Sequence, residues 1–182
     1  MKRVLIPLAP GFEEIEALSV VDILRRAGAE VVMAGTIDGP INGRNNIRVL
    51  ADKGLDEALG EGFDMIVLPG GAEGTRHLKE DARITGALQD YAKKGKIITA
   101  ICAAPTVLSA AGLIEGRSIT SHPGVRAKLK GAKISDERVV VDGNLVTSQG
   151  PGTAIEFAFS LVVQLFGKEK AEEVNSGVLA RL

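Results

Sequence analysis

Short apolar runs with abrupt ends, alternating with segments of helical period, recur along the 182-residue chain and constrain its fold more tightly than any other feature. The first run, residues 4–8, stops at Pro10-Gly11, and a second, residues 65–68, stops at Pro69-Gly70-Gly71. A third, residues 97–101, runs straight into Cys102. Runs this short and this uniformly apolar fit strands buried on both faces. Helical spacing follows each of the first and last, and residues 30–34 supply a further strand. Ala17, Val20, Val21, Leu24 and Ala27 share one face of a helix predicted over 13–27, which Gly28 stops. Further helices are predicted over 81–94, over 103–111 with Pro105 in the first turn, over 153–166 behind the capping-box spacing of Thr153 and Glu156, and over 168–175.

The segment 35–46 reads as turns and a hairpin before a short strand near 47–50, and 117–120 as a weaker strand. Asp142-Gly143-Asn144 marks a hairpin between 139–141 and 145–147. Parallel neighbours need crossovers, so strands alternating with helices predict an α/β fold: a flavodoxin-like doubly wound sandwich, mostly parallel sheet with helices on both faces and a small β-hairpin. The length fits one domain over 1–182.

Composition excludes several classes of function. A formal charge of −1 and 3% aromatic residues offer neither the basic field nor the stacking surface of a nucleic-acid binder. No targeting or membrane segment is visible. The single cysteine forms no intrachain disulfide and is compatible with a reducing cytoplasm, and His77 and His122 stand at no metal-ligand spacing from it. Neither Gly70-Gly71-Ala72-Glu73-Gly74 nor Gly150-Pro151-Gly152 has the lysine or the free N–H pattern of a phosphate loop.

In doubly wound folds, sites form at the carboxyl ends of the strands. Here those ends carry residues 10–16, Gly70-Gly71, Cys102-Ala103 and His122. A cysteine that ends a buried strand and opens a helix meets unpaired N–H groups and the positive end of the helix dipole, which favour the thiolate; the alternative is an inert buried cysteine. Glu13, Glu14 and Glu16 fall in the first turn of a helix, where the dipole favours carboxylates, and this reading covers Glu14. Glu13, read as structural, and Glu16 instead project into the apolar sector, Glu16 between Ile23 and Ala27. There burial raises a carboxyl pKa and suits it to donating or shuttling a proton. Gly70-Gly71 frees backbone N–H groups for an oxyanion, or is an ordinary turn. His122, ahead of Pro123, is a candidate acid or base, or simply solvated. His77, in a polar stretch, reads as surface.

Taken together, Ala9-Pro10-Gly11-Phe12-Glu13-Glu14-Ile15-Glu16, Val67-Leu68-Pro69-Gly70-Gly71, Ala100-Ile101-Cys102-Ala103-Ala104-Pro105 and Thr147-Ser148-Gln149-Gly150-Pro151-Gly152-Thr153 resemble the ThiJ/PfpI superfamily, in the branch of the parkinsonism-associated protein deglycase and its bacterial relatives. The resemblance spans nearly the whole chain in order. It implies a homodimer with an oxidation-prone nucleophile at Cys102, a partner carboxyl at Glu16, oxyanion donors at Gly70, Gly71 and Ala103, and a neighbouring histidine at His122. The implied activity is cofactor-independent and metal-free detoxification of 2-oxoaldehydes such as methylglyoxal, of the glyoxalase III or deglycase type, acting on free aldehyde or glycated adducts and giving lactate. The alternative implied is an oxidative-stress sensor or redox-regulated chaperone working through a Cys102 sulfinate. A cysteine peptidase ranks below both, because Ala103 stands where the protease-like branch has histidine. Near Asn45 some relatives carry an arginine at the dimer contact; here only Arg44 and Arg48 are close.

Overall fold

Successive side chains of a strand point to opposite faces of a sheet, so a strand apolar throughout must feed two cores. In the computed structural model, which describes residues 1–182, the first strand does so. Val4, Ile6 and Leu8 join one buried cluster and Leu5 joins another. In chain order the elements are β1 (Arg3–Leu8), α1 (Glu14–Arg26), β2 (Glu30–Gly35), β3 (Pro40–Asn42), β4 (Arg48–Leu50), β5 (Lys53–Gly54), α2 (Leu55–Leu59), β6 (Met65–Leu68), α3 (Ala72–Glu80), α4 (Ala82–Lys93) and β7 (Ile97–Ile101). There follow α5 (Pro105–Ala110), β8 (Ser118–Ile119), β9 (Lys133–Ile134), β10 (Val139–Asp142), β11 (Leu145–Ser148), α6 (Ala154–Phe166) and α7 (Lys168–Val178).

Seven strands form the central sheet in the order β10-β11-β7-β6-β1-β2-β5, parallel except where β10 pairs antiparallel with β11. One face is covered by α1, α6 and α7, whose Leu24, Phe157 and Val174 pack with Val4 and Ile6. The other is covered by α2 to α5 through residues such as Leu55, Leu78, Leu88 and Leu108. Each fully buried leucine or phenylalanine contributes roughly 1.5–3 kcal/mol by leaving water. The chain leaves β1 on one side for β2 and pairs β6 on the other, so the carboxyl ends of β1 and β6 form the crevice where such folds bind ligands. The loops there are stitched together: Glu13 N–H donates to Gly70 O at 3.0 Å and Gly74 N–H to Gly11 O at 3.2 Å.

Two local expectations are corrected. Thr153 forms no capping box with the helix it precedes. A 3-10 turn over Pro151–Thr153 comes first, the Thr153 hydroxyl bonds Ser148 Oγ at 2.6 Å, and Glu156 pairs with Arg138. Helix α3 has no counterpart in the apolar pattern, because Leu78 is its one large buried hydrophobe and Gly74 passes against the backbone of Phe12. His77 on that helix is half-buried, with Nδ1 2.9 Å from Pro10 O, rather than a free surface residue.

Glu14 does more than complement a dipole. Its carboxylate is buried and accepts from Asn45 N at 2.7 Å, Asn45 Nδ2 at 2.9 Å and Ile47 N at 3.3 Å, pinning the β3–β4 loop to α1. Burial pushes this carboxyl up, but its own N–H and the Asn45 and Ile47 donors more than offset that and hold it below its ordinary value. Glu14→Ala leaves those donors unpaired, at ~1–3 kcal/mol. Amide hydrogen exchange at Asn45 and Ile47 is expected to accelerate at least about tenfold, and unchanged exchange would contradict the tether.

Candidate active site

Cys102 is the first residue after β7 and has φ +65°, a left-handed conformation that a side chain ordinarily avoids. The strain, ~1–3 kcal/mol, persists because neighbours hold the residue on both sides. Its N–H donates to Ser148 O at 3.0 Å and its carbonyl accepts from His122 N at 2.9 Å. The chain thus turns sharply from strand to helix, as the Cys102-Ala103-Ala104-Pro105 stretch predicts, with the thiol only 7% exposed. The N–H groups of Gly71 and Ala103 donate to no protein oxygen, and both lie close enough to the sulfur to lower its pKa. Gly70 N–H, the third donor expected from the sequence, instead binds Glu16 Oε2 at 2.7 Å.

Glu16 is fully buried on α1. Gly70 is what lets it reach the thiol: a Cβ there would lie 2.4 Å from Glu16 Oε2 and 2.6 Å from Cys102 Cβ. Glu16 Oε1, by contrast, is buried with no hydrogen-bond partner. Burial pushes the Glu16 carboxyl from an ordinary 4.5 up to about 7, and the Glu13 charge adds to this against the Cys102 thiol, Gly70 N–H and Arg44. The thiol is pushed up from 9.0 to about 12, by burial first and then by the Glu16 carboxylate, against the Gly71 and Ala103 donors. A thiolate favoured by the helix terminus alone is therefore corrected: burial and a charged Glu16 outweigh the dipole. The two groups titrate as a pair. When the pair holds one proton, the higher of the two values keeps it on the sulfur, facing a Glu16 carboxylate poised to take it.

This coupling has a thermodynamic consequence. The folded chain holds the Glu16 proton between about pH 4.5 and 7 while the unfolded chain releases it, so stability is fully present below 4.5 and falls as pH rises to about 7. The shift corresponds to about 3 kcal/mol. Glu16→Gln is expected to flatten that slope and to match or exceed the parent stability at pH 8, as urea unfolding at pH 5 and 8 would measure. A parental slope in the variant would assign the pH dependence elsewhere.

His122 is tied to Cys102 by its backbone, but its ring is exposed and Nδ1 accepts from Gly124 N at 3.1 Å, so the neutral ring carries its proton on Nε2. The ring makes no hydrogen bond to Cys102 or Glu16. The sequence marks Glu14 only as a dipole complement, not as the tether of the β3–β4 loop, and gives Ser148 no role as the acceptor that orients Cys102. The Thr147-Ser148-Gln149-Gly150 stretch is the signal that marks the latter. No group of three or more His, Cys, Asp or Glu side chains converges to hold a metal, and no helix is long and apolar enough to cross a membrane.

Comparison with known proteins gives the same frame. The model of the DJ-1/PfpI family matches residues 2–164. The Drosophila melanogaster protein dj-1beta is 42% identical over 98% of this chain and 97% of its own length, and its crystal structure aligns over 100% of this chain and 99% of that one with a TM-score of 0.97. An oxidized DJ-1 from Toxoplasma gondii is 38% identical, with a TM-score of 0.96 over 100% of both chains. A Caenorhabditis elegans protein named glutathione-independent glyoxalase DJR-1.2 is 39% identical over 95% of this chain and 94% of its own.

Proposed function

The chain belongs to the DJ-1/PfpI family, and from that premise we propose that it is a cysteine-dependent, cofactor-independent enzyme of the glyoxalase III or deglycase type, acting on 2-oxoaldehydes such as methylglyoxal. The observation that carries this reading is a buried carboxyl of raised pKa against a thiol at a strained strand-to-helix turn. In the proposed mechanism, the Glu16 carboxylate takes the Cys102 thiol proton as the sulfur adds to the aldehyde carbon, and a carbon–sulfur bond forms as the carbonyl electrons move to oxygen. Gly71 and Ala103 N–H groups hold that oxyanion. Glu16 passes the thiol proton to that oxygen to give the hemithioacetal, and as its carboxylate then moves the proton of the former aldehyde carbon to the neighbouring carbon while the hydroxyl proton passes to the neighbouring oxygen, so that the first carbon is oxidised and the second reduced with no external electron acceptor. Water then cleaves the thioester, giving lactate and the free thiol. The exposed His122 ring, with its Nε2 proton, is assigned a secondary role in proton exchange with solvent. Early methylglyoxal adducts are the second substrate form.

The C. elegans relative's name supports the reaction class. The protein is assigned to a reducing cytoplasm as one domain, and as a homodimer through the face where Ile15 and Ile47 are each 53% exposed. Ile47 N–H bonds Glu14 Oε1, one residue before Ile15 on α1, which brings the β3–β4 loop to this helix. Chirally resolved lactate production from methylglyoxal, without glutathione and in an amine-poor, thiol-free buffer, tests the reading. One lactate enantiomer formed over many turnovers by the parent and not by Cys102→Ala supports it; no lactate above the variant overturns it.

The unpartnered Glu16 Oε1 also supports a second reading, in which Cys102 is oxidised to sulfinate and a protonated Glu16 hydrogen-bonds that product. Peroxide that halts at sulfinate and switches partner binding or holdase activity favours this sensor. Oxidation that only stops turnover favours the enzyme.

A further inference from the structure

We propose that the small cavity between α3 and α5 binds an anionic group, phosphate or carboxylate, carried by the substrate of the Cys102 site. The cavity has a volume of about 270 Å³ and is lined by Ala72, Thr75, Arg76, Lys79, Ala103, Thr106, Val125 and Lys128. That is below the ~300–1,000 Å³ of a site for a whole drug-sized ligand, and suits a fragment of one. Ala72 follows Gly71 and Ala103 follows Cys102, so the cavity adjoins the residues whose N–H groups face the sulfur.

Its chemistry is one-sided. Arg76, Lys79 and Lys128 supply three cationic side chains and no carboxylate lines the wall, on a chain whose net charge is −1. Arg76 is paired with Glu80 at 2.8 Å, but Lys79 and Lys128 have no acidic partner. Cations left unpaired around a concave surface concentrate anions there. Thr75 adds an independent pointer: it is 4% exposed, it lines the cavity, and its hydroxyl has no hydrogen-bond partner. Buried hydroxyls are ordinarily satisfied, and an anion's oxygen would accept this one. Thr106, whose Oγ1 donates to Ala103 O at 2.8 Å, ties this wall to the residue beside the nucleophile. A 2-oxoaldehyde with a charged group a few atoms from the aldehyde would therefore span from sulfur to cavity.

Two measurements on the full chain test this. Amide-resolved NMR titrations with inorganic phosphate and, separately, with acetate are expected to give saturable shifts centred on Thr75, Ala103, Thr106 and Lys128. The stronger of the two anions identifies the preferred group. Lys79→Ala/Lys128→Ala is expected to weaken that binding at least about tenfold, whereas Lys168→Ala on α7 leaves it as in the parent. The kinetic arm rests on the glyoxalase reading. The kcat/KM preference for hydroxypyruvaldehyde phosphate over methylglyoxal should exceed unity and fall about tenfold in the double variant. No saturable shift, binding undiminished in the double variant, or a preference of one with turnover intact overturns the proposal. Absence of Cys102-dependent turnover of methylglyoxal counts against the enzyme reading instead, and the titration then decides the cavity by itself.

Discussion

Cys102→Ala is expected to lower lactate formation from methylglyoxal by at least about 1,000-fold while leaving the chain folded, because removing a nucleophile removes the covalent path itself. Glu16→Ala should also be severe, at ~100- to 10,000-fold, since loss of acid–base help still leaves an attacking sulfur. The fold should survive the loss of the sulfur because the backbone at Cys102 is held by Ser148 O and His122 N–H, neither of which involves the side chain. Steady-state kinetics together with thermal unfolding of the variant separate the two effects. Near-parental activity in Cys102→Ala would refute the mechanism, and a collapsed transition temperature with lost activity would reassign the residue to the core.

The second large effect is on stability. Gly71 has φ +89°, and a Cβ there would lie 2.3 Å from Gly11 O and 2.8 Å from Glu13 N. Both are backbone atoms, so no side-chain rotation relieves the overlap. Gly71→Ala combines a left-handed strain with a clash in the crevice and is expected to cost about 4 kcal/mol or more. At ~2–4 °C per kcal/mol for a chain of this size, the transition temperature falls by about 8–16 °C. Gly86→Ala is the matched control. It lies in α4 with no atom within 4 Å of the added carbon, so the better helix propensity of alanine should stabilise by ~0.5–1 kcal/mol. Equal transition temperatures for the two variants would show that the β6–α3 turn yields more readily than its geometry implies.

The doubly wound arrangement was legible because burial on both faces leaves a local trace: runs such as Met65–Leu68 contain no polar position. The crevice was legible for the same reason, since the ends of those runs are where glycine, proline and Cys102 fall. Helix α3 left no such trace, being short, polar and packed through Leu78 and a glycine. Among the site residues, Glu16 was visible as a carboxyl in an apolar sector. The role of Glu14 was invisible, because its partners Asn45 and Ile47 lie more than thirty residues away.

By itself the sequence determined the alternation of the main strands and helices, the doubly wound and mostly parallel class of sheet they build, and the strand ends near which Cys102, Glu16, Gly71 and His122 are presented. Only the tertiary structure decided how those groups meet. Gly70, bonded to Glu16 across 54 residues of chain, lets that carboxyl approach Cys102, Cys102 adopts a left-handed turn, and the His122 ring is exposed with Nδ1 engaged by Gly124. The physical reason is one of range. Hydrophobic period records whether a residue faces the core and is written locally, whereas a pKa or a proton path depends on distances of a few ångströms between segments remote in sequence, and on the side chains that are missing between them.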